Sequence, residues 1–151
     1  MKIERVYTRK VVATTRSTPI AEAAAAMRRY AVGSLLVLES DAPGARPVGI
    51  VTDRDLALEG FAAESFVVGS AMTPVIATVP ESADSHEALG LMRAHGVRRL
   101  IVTGADGAIC GIVSIDDIVD GLSADLAAAS AVLRGEVKRD AAGLGDVKIG
   151  G

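Results

Sequence analysis

Two stretches of this 151-residue chain carry residue types at a spacing that can do chemistry: residues 49 to 55 read GIVTDRD and residues 111 to 117 read GIVSIDD. Each closes a short apolar run with a hydroxyl and follows it three residues later with an acid, Thr52 with Asp55 and Ser114 with Asp117. A hydroxyl and free backbone N–H groups at the start of a helix can bind a phosphate, while the carboxylate accepts hydrogen bonds from both hydroxyls of a ribose. The same spacing also makes a helix capping box, which only secures the helix start, for about 0.5–2 kcal/mol. One side chain can cap an empty site and bind in a filled one, so spacing alone leaves both readings open.

Other reactive residue types do not assemble into a motif. His86 and His95 stand nine residues apart with no Cys or acid at ligand spacing, which argues against zinc and for helix-surface histidines. Cys110 precedes a Gly-Ile-Val strand with no base beside it in sequence, and reads as a small buried hydrophobe. The acids Asp116, Asp117 and Asp120 fall in a first helical turn, where the helix dipole accounts for them.

The elements that must position the two motifs are themselves duplicated. Setting residue n against n + 65 aligns EAAAAMRRYAVGSLLV (22 to 37) with EALGLMRAHGVRRLIV (87 to 102), and Thr8 with Thr73. Past the middle strand the offset falls to 62, because the loop around DAPGARP is three residues longer than its counterpart around GADGA. Each copy reads as a short strand (VVAT; IATV), a helix, two strands joined by a turn (LLVLE and PVGIVT; RLIVTG and CGIVS), and a second helix (DLALEGF; IDDIVDGL). The expected fold is α/β, order β-α-β-β-α twice over: repeat 1 at 3–64, repeat 2 at 68–122, and a C-terminal helix with a frayed tail at 123–151. Neither copy can bury both faces of so small a sheet alone, so the two must pack about a pseudo-two-fold axis, leaving a cleft where helices begin. In the C-terminal segment, Leu122, Leu126, Leu133 and Val137 are spaced toward one face of a helix.

Composition narrows the function. Half the residues are hydrophobic, enough for a core, and the net charge of −3 with 3% aromatics argues against nucleic acid, which needs clustered cations and stacking surfaces. A single cysteine excludes an intrachain disulfide, and MKIERVYTRK has no apolar leader segment, so a soluble cytoplasmic protein with no membrane partner is expected.

The paired Gly-x-x-Ser/Thr-x-x-Asp strings, AMTP at 71 to 74 before a β-branched strand, and the duplicated β-α-β-β-α order together resemble the cystathionine-β-synthase (CBS) domain pair, or Bateman module, over residues 3 to 122. The resemblance implies a stand-alone homodimeric module, in the family's flat disc, that binds AMP, ADP, ATP or S-adenosylmethionine between its repeats and signals to an effector protein. It implies no catalysis and no cofactor; Mg²⁺ would come only with a bound triphosphate. The family's pocket positions fall on Thr78, Ser114 and Asp117 in copy two, a complete set. In copy one they fall on Thr52 and Asp55, with Ala13 at the first position and Thr14 next to it. Arg98 and Arg99 match a basic pair that meets phosphate in the family, against the alternative of plain surface arginines. Ile76, Ala77 and Val97 would accept the adenine. The rival reading is a ligand-independent interaction scaffold that keeps the capped fold.

Overall fold

The computed structural model describes residues 1–59, 66–74 and 77–143, with side chains as far as 135. The first repeat contributes β1 (Ala13–Thr15), α1 (Ile20–Tyr30), β2 (Ser34–Leu38), β3 (Pro47–Thr52) and α2 (Asp53–Glu59). A short helix α3 (Val68–Ala71) and strand β4 (Thr73–Pro74) follow. The second repeat supplies β5 (Thr78–Pro80), α4 (Ser85–His95), β6 (Arg99–Thr103), β7 (Ile109–Ser114) and α5 (Ile115–Gly143). The expected β-α-β-β-α order is present twice. The expected C-terminal helical extension is present: α5 passes residue 122 without a break and runs for 29 residues. Most of the tail expected to fray lies outside the described residues.

The two sheets share one plan. In the first, β1 runs parallel to β2, and β3 and β4 are antiparallel neighbours; in the second, β5 runs parallel to β6 and β7 is antiparallel. Even the irregularity is duplicated, with a register shift at Val37/Leu38 and another at Val102/Thr103.

Alternation along the strands builds three cores from these two sheets, since successive side chains face opposite ways. On one face Leu35, Val37 and Val51 pack with Ala23, Met27 and Leu56 from the helices. Leu100, Val102 and Val113 do the same with Ala88, Met92 and Ile118 in the second repeat. The intervening residues Leu36, Ile50, Ile101 and Ile112 turn the other way and meet in a third cluster that joins the sheets. Strands buried on both faces read as continuous apolar runs, which is why LLVL and LIV carry no polar alternation. Burying each joining side chain contributes about 1.5–3 kcal/mol.

The sequence repeat and the packed unit are offset from one another. Ile3 and Tyr7, at the head of the first sequence copy, are buried in the core of the second repeat. Thr8 bridges Ile112 on β7, and the N–H groups of Ile3 and Glu4 donate to the carbonyls of Ala83 and Glu81. Reciprocally, Val68 and Ala71 complete the first repeat's core, and β4 pairs with β3 through Gly49 and Ile50. Each repeat is thus finished by the other copy's leading segment.

This exchange explains the glycine of both motifs. A Cβ on Gly49 would lie 2.7 Å from the carbonyl oxygen of Thr73, and one on Gly111 would lie 2.7 Å from that of Thr8 and collide with the Tyr7 ring. The exchanged segment can cross only a strand that lacks a side chain there. Gly111→Ala and Gly49→Ala are each expected to lower unfolding free energy by about 1–3 kcal/mol in urea denaturation. Gly90→Ala, within α4 and with open space around the added methyl, is expected to raise it by about 0.5–1 kcal/mol.

Tyr7 also carries a pH signature. Its hydroxyl donates to Glu81 Oε2 at 3.0 Å, beside the Cys110 side chain. Hydrogen bonding with Cys110, then burial and the bond to Glu81, pushes the phenol from 10.0 up to about 12. The folded state therefore holds the proton that the unfolded chain releases near 10.0. This stabilisation is complete below that value and lost as pH rises through about 12. Urea midpoints measured across this window should fall with pH in the wild type and fall less steeply in Tyr7→Phe.

Candidate functional site

Both hydroxyl–acid pairs close as capping boxes at the strand-to-helix turns. The Thr52 N–H donates to Asp55 Oδ2 at 2.9 Å and the Asp55 N–H donates to Thr52 Oγ1 at 3.1 Å. At the second turn the Ser114 N–H donates to Asp117 Oδ2 at 2.8 Å, the Asp117 N–H to Ser114 Oγ at 3.1 Å, and Ser114 Oγ–H to Asp117 Oδ2 at 2.7 Å. Thr52 and Ser114 are buried while both acids are half-buried. Among the described residues, Oδ1 of each acid accepts no hydrogen bond, so each carboxylate keeps one oxygen for a further donor.

A cavity of about 450 Å³ opens beside the first pair, within the size range of small-molecule sites. Its floor is Ile50, Thr52 and Asp55 from β3 and α2, and Thr73 from the exchanged β4. Its opposite wall comes from the second repeat: Gly96 and Val97 after α4, Arg98 and Arg99 at the start of β6, and Asp116 from the first turn of α5. The backbone fixes that wall, because the Ile115 N–H donates to the Arg98 carbonyl at 2.9 Å. The matching bond in the first repeat runs from the Asp53 N–H to the Gly33 carbonyl at 3.1 Å. Gly96, at φ 64, ends α4 in the left-handed conformation, which is cheap for glycine; the equivalent cap of α1 is Ala31, at φ 53.

The cavity is electrically mixed, with Arg54, Arg98 and Arg99 facing Asp53, Asp55 and Asp116. Arg98 Nη2 lies 3.9 Å from Asp116 Oδ1, with the two side chains 70% and 72% exposed. An ion pair that exposed holds its partners weakly, so the Arg98 guanidinium can exchange Asp116 for a stronger anion at little cost.

The site residues read from the sequence are therefore distributed across the fold. Thr52, Asp55, Arg98 and Arg99 line one cavity, although the sequence grouped the arginines with Ser114 and Asp117 of their own copy. Ser114 and Asp117 cap α5 and do not line this cavity. Ala13 pairs with Leu36 and Thr14 with Val37 on β1, and Thr78 pairs with Ile101 on β5. Ala77 is buried in the second repeat's core, and Ile76 lies outside the described residues. Sequence reasoning missed Ile50, Asp53, Arg54, Thr73, Gly96 and Asp116 as lining residues. The signal for Thr73 was its alignment with Thr8 near the start of each copy, but nothing in the repeat indicates that the two segments trade places.

Two α/β repeats exchanging their leading segments, with a cavity lined by both, define a tandem-repeat α/β class of fold. The CBS domain profile matches residues 3–60 and again 68–124, and the chain belongs to the CBS domain family. It is 38% identical over 120 residues to the protein YlbB of Bacillus subtilis, covering 78% of this chain and 79% of that one. A CBS-domain protein from Burkholderia ambifaria superposes with a TM-score of 0.63 at 29% identity, over 82% of this chain and 92% of its own. The CBS domain pair of protein MJ0100, solved in complex with 5-methylthioadenosine and S-adenosyl-L-methionine, shares the fold with a TM-score of 0.67 at 18% identity, over 83% and 98% of the chains. Among the described residues, no helix is long and apolar enough to cross a membrane, and no group of metal-ligating side chains gathers.

The capping role can be separated from the ion pair. Thr52→Ala and Ser114→Ala should each cost about 0.5–2 kcal/mol in thermal or urea unfolding. Asp116→Asn should change stability by less than about 0.5 kcal/mol.

Proposed function

We propose that this CBS pair is a regulatory sensor of an adenosine nucleotide, bound across the two repeats. One observation carries the reading: the cavity brings the hydroxyl and acid of the first motif together with an arginine pair from the other repeat. Asp55 Oδ1 accepts from the ribose hydroxyls, while the Thr52 hydroxyl faces the sugar–phosphate. Arg98 and Arg99 take the phosphates, and Ile50 and Val97 offer apolar surface for the adenine. The MJ0100 pair, alike in fold, was solved with two adenosine compounds, which supports this ligand class without choosing within it.

Ser114 and Asp117 are the corresponding pair at a second position, to which the resemblance also brings Thr78, Ala77, Ile76, Ala13 and Thr14. There the offsets place Gly33 and Ser34 where the first position has Arg98 and Arg99, and Asp116 where it has Arg54. That position has no arginine pair to balance a phosphate and suits an uncharged adenosine compound better than a nucleotide.

A ligand held by both repeats shifts their mutual arrangement by as much as it prefers one arrangement over another, about 4 kcal/mol for a thousandfold difference in affinity. A homodimer passing that change to an effector protein is the regulatory output, and no catalytic step is involved. The competing scaffold reading draws on the closed capping boxes, which need no ligand to account for the motif.

Calorimetric titration with AMP, ADP, ATP with and without Mg²⁺, and S-adenosylmethionine tests the proposal. Asp55→Asn keeps an oxygen for the cap but loses the charge, and should weaken nucleotide binding at least about tenfold. Replacing Arg98 and Arg99 together with glutamine should weaken ATP more than S-adenosylmethionine, and Asp117→Asn should leave nucleotide affinity within about threefold. No binding by any of these compounds to folded wild-type protein would favour the scaffold.

A further inference from the structure

The start of β6 meets the first turn of α5 as the start of β2 meets the first turn of α2. In each repeat an N–H of the turn donates to the carbonyl of the residue just before the strand, Asp53 to Gly33 at 3.1 Å and Ile115 to Arg98 at 2.9 Å. The backbone is alike and the side chains are not. By the repeat offsets Gly33 corresponds to Arg98 and Arg54 to Asp116. The first repeat thus has no side chain opposite its turn, and a Cβ added to Gly33 would lie 3.9 Å from Asp53 Oδ2. The second repeat has a cation there and an acid beside it, and both line the cavity. Of the two repeats, the acid stands in the one that carries the arginine.

Arg98 Nη2 and Asp116 Oδ1 are 3.9 Å apart, close enough for attraction and beyond hydrogen-bond distance. With both side chains about seven-tenths exposed, charge alone holds them together. Among the described residues, Arg54 and Arg99, the other arginines of the cavity, have no carboxylate within ion-pair distance. A wall that only bound phosphate would keep all its arginines free.

We propose that Asp116 is a tethered counter-anion: it occupies Arg98 until a phosphate displaces it, and so makes the site respond to phosphate and not to adenosine alone. The inference rests on the nucleotide reading of the cavity and adds to it a residue that opposes binding. A phosphate that takes Arg98 leaves the Asp116 carboxylate beside an anion, and like charge drives that side chain back from the cavity on the first turn of α5. A ligand without phosphate makes no claim on Arg98 and leaves the pair closed. The opposition falls on anions only, so Asp116 is a specificity-determining residue, and the first turn of α5 registers phosphate without touching base or sugar.

Calorimetric titration of the wild type, Asp116→Asn and Asp116→Glu with ATP and with 5-methylthioadenosine, which carries base and sugar without phosphate, tests this. Asp116→Asn should tighten ATP binding about two- to fivefold, the range that an exposed ion pair is worth, and leave 5-methylthioadenosine within about 1.5-fold. Asp116→Glu, which keeps the charge, should bind both as the wild type does. The gain in ATP affinity should vanish in an Arg98→Gln background and persist in Arg99→Gln. An unchanged ATP affinity in Asp116→Asn, equal tightening of both compounds, or a gain that survives Arg98→Gln would each overturn the inference while leaving the nucleotide reading intact. A folded wild type that binds neither compound would defeat that reading and this inference with it.

Discussion

Everything in this molecule depends on two backbone crossings, where residues 7 and 8 pass over Gly111 and residues 72 and 73 pass over Gly49. Each repeat has only three strands of its own, and three short strands with two helices leave a core open on one side. The crossings close that side with the other copy's leading segment. Ile3 and Val68, both fully buried, are the plugs. The halves cannot be pulled apart without unplugging both cores, so the exchange joins them more firmly than the Leu36, Ile50, Ile101 and Ile112 contact would alone.

The cavity is a product of the same arrangement. Because β4 belongs by sequence to the second copy and by pairing to the first sheet, Thr73 arrives beside Ile50 and Thr52. The sheet-to-sheet contact then brings the start of β6 across from α2, so the Arg98 and Arg99 wall faces a motif some forty residues earlier in the chain. The glycine of each motif serves the crossing, and the hydroxyl and acid three and six residues later cap the helix that follows.

Most of the fold was legible in the sequence because its signals are local and occur twice. PVGIVT gives β3 to the residue, and the helices over 20–30 and 85–95 follow from helix-forming runs whose apolar positions recur at helical spacing. The C-terminal helical extension was legible too, from Leu122, Leu126 and Leu133 at helical spacing, even though Gly121 and Gly135, costly in a helix interior, sit inside α5. The exchange was invisible for a different reason. The segments at 3–8 and 68–73 are equivalent by alignment, so packing at home and packing in trade have the same sequence signature, and only connection length and geometry choose between them. The candidate site inherited that ambiguity: the residue types were found, but the pairing of Thr52 and Asp55 with Arg98 and Arg99 follows from a contact between sheets that no repeat offset encodes.

The unbroken run of α5 has a mechanical meaning. Its first turn is anchored in the cavity wall through Asp116 and in the second core through Ile118, and its 29 residues span about 43 Å. A rigid rod held at one end is a pointer. A tilt of about 5° at Ser114 would carry its far end through roughly 4 Å. That is close to the width of a side chain, so a change too small to alter the packing of either sheet would be read at the tip as a change of neighbour.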